Sequence, residues 1–568
     1  MSTIQPATEV LCANSGQDGS RCDRVGKYEC KYCHLVKYCG KKCQKVHWKT
    51  HISDCRNNPL LKPTWRPAWE TEHREPAFMG GPRQRHFNYK MKFPWGNMPA
   101  FDLLKLASNE GTNYKGGLNL LFAASGDIRN CIMTLVSVPD ECQSPMKVYL
   151  NDRDADVVGR NAIMLLLALM EDDAAVAADN IIHLWYSSFI SQTLYDTLNG
   201  KIRELVQDIC KKIEGKPPNA ALGKTWTFGL RSLRLVLTRN QWFELLASLE
   251  VPPGLTAEKA QKIRQSVTLA PERVDYRHRR YFAQPPGDRA SADKFRDHGI
   301  LLPFGAPRDS FTIPNPTLFR DAESWPMKDD ADPIHGHSLE EIKRFSCDAP
   351  ANDIYGKLSF FLKDLVTRFH RRLQNLDIKF HLLNVNAEDL PEYVGQVLFD
   401  RIEVANVSDA GYLGIARTLC YIGTLLKRPN DNRYATLVTL FLNAVEEIFD
   451  DKEKRKVIEY EIQEVWKYMT PKPPTGPYDA DIIINDVATE QVRDVDKYFN
   501  RYMKLHHFDE LCEVSGMEFK EQPTIIEAWP LKVKKGLHQR GAKEEFTTLL
   551  SSGHSGCERY MEWRYKVN

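Results

Sequence analysis

The sequence lacks a long apolar run and a strong excess of charge. Its longest apolar stretch, residues 162–170, is about half the length of a bilayer-spanning helix. Lysine and arginine total 77 against 75 acidic residues, so the formal net charge is only +2. A general polyanion-binding protein carries a larger basic excess. These two absences argue against a membrane protein and against a general nucleic-acid-binding protein.

Several catalytic motifs are missing as well. The sequence has no Gly-x-Ser-x-Gly nucleophile elbow and no Walker phosphate-binding loop. It also lacks the SET-domain motifs of lysine methyltransferases. Hydrolase and kinase activities are therefore not predicted, and a non-enzymatic role is favoured over an enzymatic one.

What the sequence does contain is a dense group of cysteines, because seven of its fourteen cysteines lie between residues 12 and 55. With one histidine they give eight ligands of the kind that zinc prefers: Cys12, Cys22, Cys30, Cys33, Cys39, Cys43, His51 and Cys55. A structural zinc site takes four Cys or His ligands, so this segment predicts two bound Zn²⁺ ions. A lysine-rich segment of this length also has too little apolar content to fold without metal.

Zinc is favoured over disulfide bonds by the rest of the chain. The sequence begins Met1-Ser-Thr-Ile-Gln, which lacks the basic and apolar regions of a secretory signal. The seven later cysteines show no paired spacing, which is typical of a reduced compartment. We therefore expect a cytoplasmic protein, with a nuclear location as the alternative.

The run from Tyr38 to Cys55 resembles the MYND zinc finger. The resemblance implies two interleaved sites, one formed by Cys12, Cys22, Cys39 and Cys43 and the other by Cys30, Cys33, His51 and Cys55. The chain departs from the family pattern because Cys12 and Cys22 are separated by a long loop instead of two residues. His47 lies one helical turn before His51 and shares its helix face. The spacing to Cys55 favours His51 as the ligand, which leaves His47 as a solvent-exposed helix residue.

MYND fingers are protein-interaction modules that hold short proline-containing peptides, and the resemblance assigns this role to Gln44 and Trp48. An exposed indole beside an amide is a suitable surface for an extended proline segment. The alternative is that Trp48 packs over the zinc loops. Seven lysines make the finger basic: Lys27, Lys31, Lys37, Lys41, Lys42, Lys45 and Lys49. A solvated lysine face is favoured over a nucleic-acid-binding surface.

The remainder predicts an α/β domain split by an insertion. We divide the chain into a finger (1–58), a linker (59–93), two halves of the α/β domain (94–195 and 346–450), an inserted and largely helical cap (196–345) and a C-terminal extension (451–568). In the first half, strands 118–124 and 146–150 alternate with helices 130–138 and 155–170. Alternation of strand and helix is typical of a parallel sheet.

The second half continues the same alternation. Strands are predicted at 378–383, 398–404 and 435–442 and a helix at 410–427, while residues 226–249 of the insertion are predicted as helical. The ordered set resembles a class I S-adenosylmethionine-dependent methyltransferase with a doubly wound sheet. This resemblance implies that Gly126 forms the cofactor turn, that Asp152 binds the ribose, and that Asn386 or Glu388 lies near the adenine.

The first loop departs from that pattern. Methyltransferases approach the cofactor through several glycines, because side chains would keep the backbone away from the ligand. Residues 122–130 keep only Gly126. A degenerate sheet without cofactor is therefore favoured over an active transferase.

Four segments, at 122–130, 151–154, 295–301 and 313–319, also resemble dynein axonemal assembly factor three. The chain is similar to the fungal branch that joins this domain to a MYND finger. The resemblance implies an adaptor or assembly factor that handles other proteins. The alternatives are an active S-adenosylmethionine-dependent methyltransferase and a nuclear transcriptional regulator that recruits partners through the finger.

Overall fold

The computed structural model describes residues 9–14, 21–79 and 92–566. The strands of the described residues are β1 Tyr28–Glu29, β2 Lys37–Tyr38, β3 Leu118–Phe122, β4 Met146–Asn151, β5 Phe189–Ser191, β6 Ala221–Phe228, β7 Arg231–Thr238, β8 Phe311–Pro314, β9 Ile378–Leu383, β10 Arg401–Glu403, β11 Thr436–Phe441, β12 Met517–Phe519 and β13 Arg559–Tyr565.

The α-helices of the same residues are α1 Lys41–Asp54, α2 Ala68–Thr71, α3 Arg129–Ser137, α4 Ala155–Met170, α5 Ala174–Tyr186, α6 Gln192–Thr197, α7 Arg203–Ile213, α8 Arg239–Ala247, α9 Ala257–Thr268, α10 Val274–Phe282, α11 Pro286–His298, α12 Leu339–Arg344, α13 Ile354–Gln374, α14 Leu390–Val394, α15 Ile415–Arg417, α16 Ala444–Ile448, α17 Asp451–Tyr468, α18 Ala480–Val492, α19 Val495–Leu505, α20 Phe508–Ser515 and α21 Ala542–Ser552. Over the described ranges, no helix combines the length and apolar character needed to cross a bilayer.

Nine of the described strands form one mixed sheet in the order β12-β13-β11-β10-β3-β4-β9-β7-β6. The strands from β11 to β7 all run parallel to their neighbours. Strands β13 and β6 are antiparallel to β11 and β7, and β12 is antiparallel to β13. In this sheet, β4, β6, β7 and β9 lie on one side of β3. Strands β10 to β13, which come later in the chain, lie on the other side. The order of the sheet therefore reverses between β3 and β10.

The central strands are buried because helices cover both faces of the sheet. Every residue of β11 is buried, as is typical of parallel strands covered on both sides. Successive residues of β3 enter different cores, with Leu120 in one hydrophobic cluster and Leu121 in the other. This alternation is the two-residue period of a strand, and it places an apolar layer on each side of the sheet.

Several predicted elements have the bounds expected from the sequence. Helix α4 and strand β9 occupy the predicted ranges 155–170 and 378–383. Strand β3 begins as predicted and ends two residues earlier, and α3 is displaced by one residue at each end. Strand β10 is shorter than predicted and covers only the middle of 398–404.

The helical prediction for residues 226–249 is wrong over its first half. Residues 221–238 form the hairpin β6–β7, which extends the sheet beyond β9. Its pattern is that of a strand, because Leu233, Leu235 and Leu237 are buried and alternate with the exposed Arg234 and the half-buried Val236. The insertion is therefore less helical than the sequence suggests.

The prediction of one continuous helix over 410–427 is also wrong. The segment contains the three-residue helix α15, a π-helical turn at Thr418–Ile422 and a 3₁₀ turn at Gly423–Leu425. Gly414 precedes α15 with a φ angle of +79°, a conformation that favours glycine. This backbone turn delays the start of the helix.

The segment predicted as a C-terminal extension supplies two strands to the sheet. Strand β13 lies between β11 and β12, and Trp563 of β13 is fully buried with its Nε1 donating to Thr439 Oγ1 at 3.0 Å. Glu562 is 2% exposed, and its carboxylate accepts the backbone N–H groups of Thr524, Ile525 and Ile526. Residues 559–565 are thus part of the main core.

Replacing Trp563 by alanine should destabilise the whole sheet. Deleting a fully buried tryptophan typically costs about 3–5 kcal/mol, because the cavity only partly closes. We expect a clearly lower thermal midpoint for Trp563→Ala by calorimetry. The control Trp466→Ala removes a ring that is 45% exposed and should leave the midpoint nearly unchanged. Equal midpoints for both variants would contradict this packing.

Candidate functional site

The finger is built from a short hairpin and one helix. Strand β1 pairs antiparallel with β2, and the chain between them makes a tight turn in which the Cys30 N–H donates to Val36 O at 2.9 Å. The Leu35 N–H also points at the sulfur of Cys33, at 3.4 Å. Helix α1 follows, and its buried residues are Cys43 and His51. Local turns and one helix therefore bring distant cysteines together.

Eight Cys and His side chains of the finger form two groups of four. One group contains Cys12, Cys22, Cys39 and Cys43, and the other contains Cys30, Cys33, His51 and Cys55. Within each group the ligand atoms all lie within 4.8 Å of one another. These are the memberships that the MYND resemblance implies, with each group drawing ligands from both ends of the finger.

The spacing of these atoms fits tetrahedral zinc. Bonds of about 2.3 Å to zinc place two sulfurs about 3.8 Å apart. The Sγ atoms of Cys22 and Cys39 are 3.6 Å apart, and those of Cys30 and Cys55 are 3.9 Å apart. His51 Nε2 lies 3.5 Å from Cys33 Sγ. Two zinc ions fit, and all the described cysteines are free of disulfide bonds.

A cation lies beside the four-cysteine group. The Arg24 guanidinium lowers the pKa of the Cys22 thiol to about 6, and its NH2 group lies 3.8 Å from Cys43 Sγ. Four thiolates around one divalent ion leave an excess of negative charge, which a neighbouring guanidinium offsets. Arg24 has no recognisable signal in the cysteine spacing.

His47 belongs to neither group. Its Nδ1 lies 3.0 Å from the Tyr38 hydroxyl, and its ring stacks on that of His51 with centroids 5.8 Å apart. The ring is half-buried, so the prediction of a solvent-exposed residue is wrong. The reason is that the face shared with His51 packs against Tyr38 of β2.

Gln44 and Trp48 lie one turn apart on α1 and share a half-buried face. The Trp48 ring is 6.2 Å from the ring of Tyr32 and 6.0 Å from that of His51. The Arg56 guanidinium lies 3.9 Å from the centre of the Tyr32 ring and 5.6 Å from that of Trp48. Trp48 therefore packs over the zinc group on one side and contributes to an aromatic and cationic surface on the other. We call Tyr32, Gln44, Trp48 and Arg56 the aromatic face.

The finger is packed firmly on the rest of the chain. The Asp348 carboxylate accepts from Lys37 Nζ at 2.6 Å and from the Val10 N–H at 2.8 Å. The Asn352 side chain donates to Cys33 O at 2.9 Å, and the Asn352 N–H donates to His34 O at 3.0 Å. On the other side, Lys294 Nζ pairs with Asp54 at 2.7 Å. The aromatic face is thus held in a fixed position on the body.

Residues 59–79 of the predicted linker continue this packing. The Trp69 ring is 1% exposed, and its Nε1 donates to Tyr478 O at 3.1 Å. Arg289 of α11 donates to Leu60 O and Lys62 O. The linker prediction also includes residues 80–91, which lie outside the described residues.

The predicted cofactor residues Gly126 and Asp152 lie side by side at the ends of β3 and β4. Asp152 Oδ2 accepts the Gly126 N–H at 3.0 Å, and Oδ1 accepts the Asp154 N–H at 2.9 Å. Burial raises the pKa of the Asp152 carboxyl. Gly126 has a φ of +55°, and a Cβ there would meet no atom within 4 Å. The turn at Gly126 is therefore open. The Asp152 carboxylate beside it already accepts hydrogen bonds from two backbone N–H groups.

Asn386 and Glu388 lie beyond the neighbouring strand β9 and are turned to other partners. The Asn386 side chain is exposed and donates to Asp389 Oδ2 at 3.3 Å. Glu388 forms an ion pair with Arg417. Cavities of about 850 and 270 Å³ occur elsewhere and are lined by other residues.

Three charged side chains are buried near the point where the sheet order reverses, after β3 and at the end of β10. Asp127, Arg129 and Glu403 are each no more than 9% exposed there. Arg129 donates to Asp127 Oδ1 at 2.6 Å and to Met98 O at 2.9 Å. Burial raises the pKa of Glu403 to about 7. We call Asp127, Arg129 and Glu403 the buried charge cluster.

Comparison with known proteins identifies two segments. Residues 12–55 match the family model of the MYND finger. This segment is a MYND finger with two zinc-binding clusters. Residues 94–190, which include β3, β4 and helices α3 to α5, match the family model described as Domain of unknown function (DUF4470). No curated protein and no solved structure matches the chain.

The two zinc-binding clusters share no ligand, so they should be separable by mutation. We expect elemental analysis of the full chain to give two zinc ions, and one ion for either Cys33→Ser or Cys39→Ser. The exposed Cys420 lies outside both clusters, and Cys420→Ser should retain two ions. Fewer than two ions in the unaltered chain would contradict the assignment.

Glu403 should make stability depend on pH. Its pKa in the folded state is raised to about 7 from 4.5, so the folded state holds a proton that the unfolded state releases. Stability should therefore fall as pH rises from about 4.5 through about 7, by about 3 kcal/mol in total. Glu403→Gln should raise the thermal midpoint at pH 8 and change it little at pH 4.5. Equal shifts at both pH values would contradict this account.

Proposed function

We propose that the chain is a zinc-dependent protein-interaction adaptor or assembly factor, with a degenerate methyltransferase-like body. The observation that carries the proposal is the aromatic face, which lies directly over a zinc-binding cluster on a finger fixed to the body. MYND fingers generally mediate protein–protein interactions. On this proposal the finger recruits a partner, and the body provides a second binding surface.

A short proline-containing peptide is the proposed ligand of the aromatic face. Tyr32 is 50% exposed and Trp48 is half-buried, so both rings present edges or faces to solvent. The Gln44 side chain makes no hydrogen bond within the described ranges, which leaves its amide available to a peptide backbone. Proline segments are already extended and lose little conformational entropy on binding.

The strand order supports the methyltransferase-like relationship. With the inserted hairpin β6–β7 set aside, the five central strands in chain order are β3, β4, β9, β10 and β11. Their spatial order then reads 3-2-1-4-5, which is the order of doubly wound nucleotide-binding sheets. The assembly-factor relationship to dynein axonemal assembly factor three, and a cytoplasmic location, are proposed on the sequence resemblance.

The side chains at the carboxyl ends of the central strands support the proposal that the methyltransferase-like body is degenerate. Doubly wound sheets bind ligands beyond the carboxyl ends of the strands, at the point where the strand order reverses. In this chain the buried charge cluster lies near that point. Asp152 is engaged by two backbone N–H groups, and Glu388 is paired with Arg417. A cofactor would have to replace these internal contacts.

The recruitment proposal is tested by altering the aromatic face. Gln44→Ala combined with Trp48→Ala should weaken binding of the full chain to an array of short proline-containing peptides by at least about tenfold, or about 1.4 kcal/mol. Val46→Ala combined with Thr50→Ala alters exposed residues on another face of the same helix and should leave binding unchanged. Retention of all peptide binding by the first variant would refute recruitment through this face.

An active S-adenosylmethionine-dependent methyltransferase is the second candidate function, favoured by the open turn at Gly126 beside Asp152. Calorimetric titration of the full chain with S-adenosylmethionine tests it. The adaptor proposal predicts no saturable heat at millimolar cofactor. Saturable binding that is lost in Asp152→Ala would favour the transferase instead.

A nuclear transcriptional regulator is the remaining candidate, favoured by the exposed lysines of the finger such as Lys41, Lys45 and Lys49. Binding of nucleic acid that weakens steeply with salt would favour this function. The adaptor proposal predicts no such binding at physiological ionic strength.

A further inference from the structure

A cavity of about 850 Å³ lies outside the finger, between α10, α18 and the turn around Gly553. Its volume is that of a small-molecule site, which typically measures about 300–1,000 Å³. The wall contributed by α10 is rich in arginine, because the helix carries the sequence Tyr-Arg-His-Arg-Arg-Tyr over residues 276–281. A second cavity of about 270 Å³ adjoins it and shares His335, Gly553 and His554.

Several charges around this cavity are neutralised by partners. Arg273 pairs with Asp329 at 2.8 Å, Lys454 with Asp486 at 2.9 Å, and Arg493 with Glu461 at 3.2 Å. Burial raises the pKa of Glu490 to about 7, so this carboxyl carries only part of a negative charge near neutral pH. The carboxylates of Asp330 and Glu446 also line the cavity, and both interact with other groups.

Arg277 and Arg280 are different, because neither forms a direct ion pair with a carboxylate within the described ranges. Arg277 donates only to the carbonyl oxygen of Ala270, at 3.3 Å. Arg280 makes no hydrogen bond or ion pair within the described ranges. The nearby Asp332 carboxylate is engaged by the Tyr355 hydroxyl at 2.9 Å and by the Ile334 N–H at 3.0 Å. Burial lowers the pKa of both guanidiniums, and the charges of Asp332 near Arg280 and Asp293 near Arg277 only partly offset this shift.

Arg280 converges with an imidazole at the same point. A Cβ at Gly553 would lie 2.8 Å from Arg280 Cζ and 2.9 Å from His335 Nε2, so both groups are close to this glycine. His335 Nε2 is buried and has no hydrogen-bond partner among the described residues. The His335 ring also lies 5.6 Å from the ring of His554. Gly553, with a φ of +86°, leaves space for these side chains.

From this geometry we infer that the cavity binds a phosphate-bearing small molecule. Arg277 and Arg280 lie three residues apart on one face of α10, so both guanidiniums can face one bound anion. The planar guanidinium donates paired hydrogen bonds to phosphate oxygens. His335 Nε2 supplies a further polar contact beside Arg280. The inference is independent of partner recruitment by the finger, because none of these residues belongs to the aromatic face.

Calorimetric titration of the zinc-loaded full chain with inorganic pyrophosphate and with ATP tests the inference. We expect saturable binding that is at least about tenfold weaker in Arg280→Gln, since one charged bidentate donor is lost. Binding of pyrophosphate alone would indicate recognition of phosphate, whereas binding of ATP alone would indicate that the nucleoside contributes. Zinc content measured after each titration separates ligand binding from metal loss.

Two further variants keep the result interpretable. Arg371→Gln removes an exposed arginine on α13, away from the cavity, and should bind as the unaltered chain does. Arg280→Lys retains the charge without the planar group and should show intermediate affinity even if Arg280→Gln folds poorly. The inference is overturned by silence with both probes at millimolar concentration, by unchanged affinity in Arg280→Gln, or by equal loss in Arg280→Gln and Arg371→Gln.

Discussion

Coordination of zinc by residues from both ends of the finger is the constraint on which the rest of the structure depends. Each cluster takes ligands from the N-terminal loops and from α1 or its ends, so the metal substitutes for the apolar core that the segment lacks. The hairpin β1–β2 and α1 are held together in this way. Without that restraint Tyr32, Trp48 and Arg56 would have no reason to form one surface.

Contacts with the rest of the chain fix the orientation of the finger. Asp348 and Asn352 bind the backbone and a lysine of the finger, and Lys294 binds the end of α1. The contacts fix the finger on the segment that leads into α13, whose own N-terminus is capped by Asp353. The finger is thus presented by a rigid support. The buried charge cluster lies in the body, near the point where the strand order of the sheet reverses.

The sequence predicts those features that depend on local spacing. Eight Cys and His ligands within a short segment predict two tetrahedral zinc sites, and the MYND resemblance implies which ligands form each site. Helix α4 and strand β9 have strong periodic patterns with clear ends. The place of the hairpin β6–β7 in the sheet is harder to predict, because it depends on pairing of β7 with β9, more than a hundred residues away. The same holds for β13, whose neighbour β11 is distant in sequence. Tyr32 and Arg56 carry no spacing signal and join Trp48 only in three dimensions.

The most direct test of the central claim is hydrogen–deuterium exchange of the full chain with and without a bound proline-containing peptide, before and after removal of zinc. The account predicts added protection confined to residues 30–56 in the zinc-loaded chain, and loss of both that protection and peptide binding once zinc is removed. Protection located only in the body, or peptide binding that persists unchanged without zinc, would contradict it.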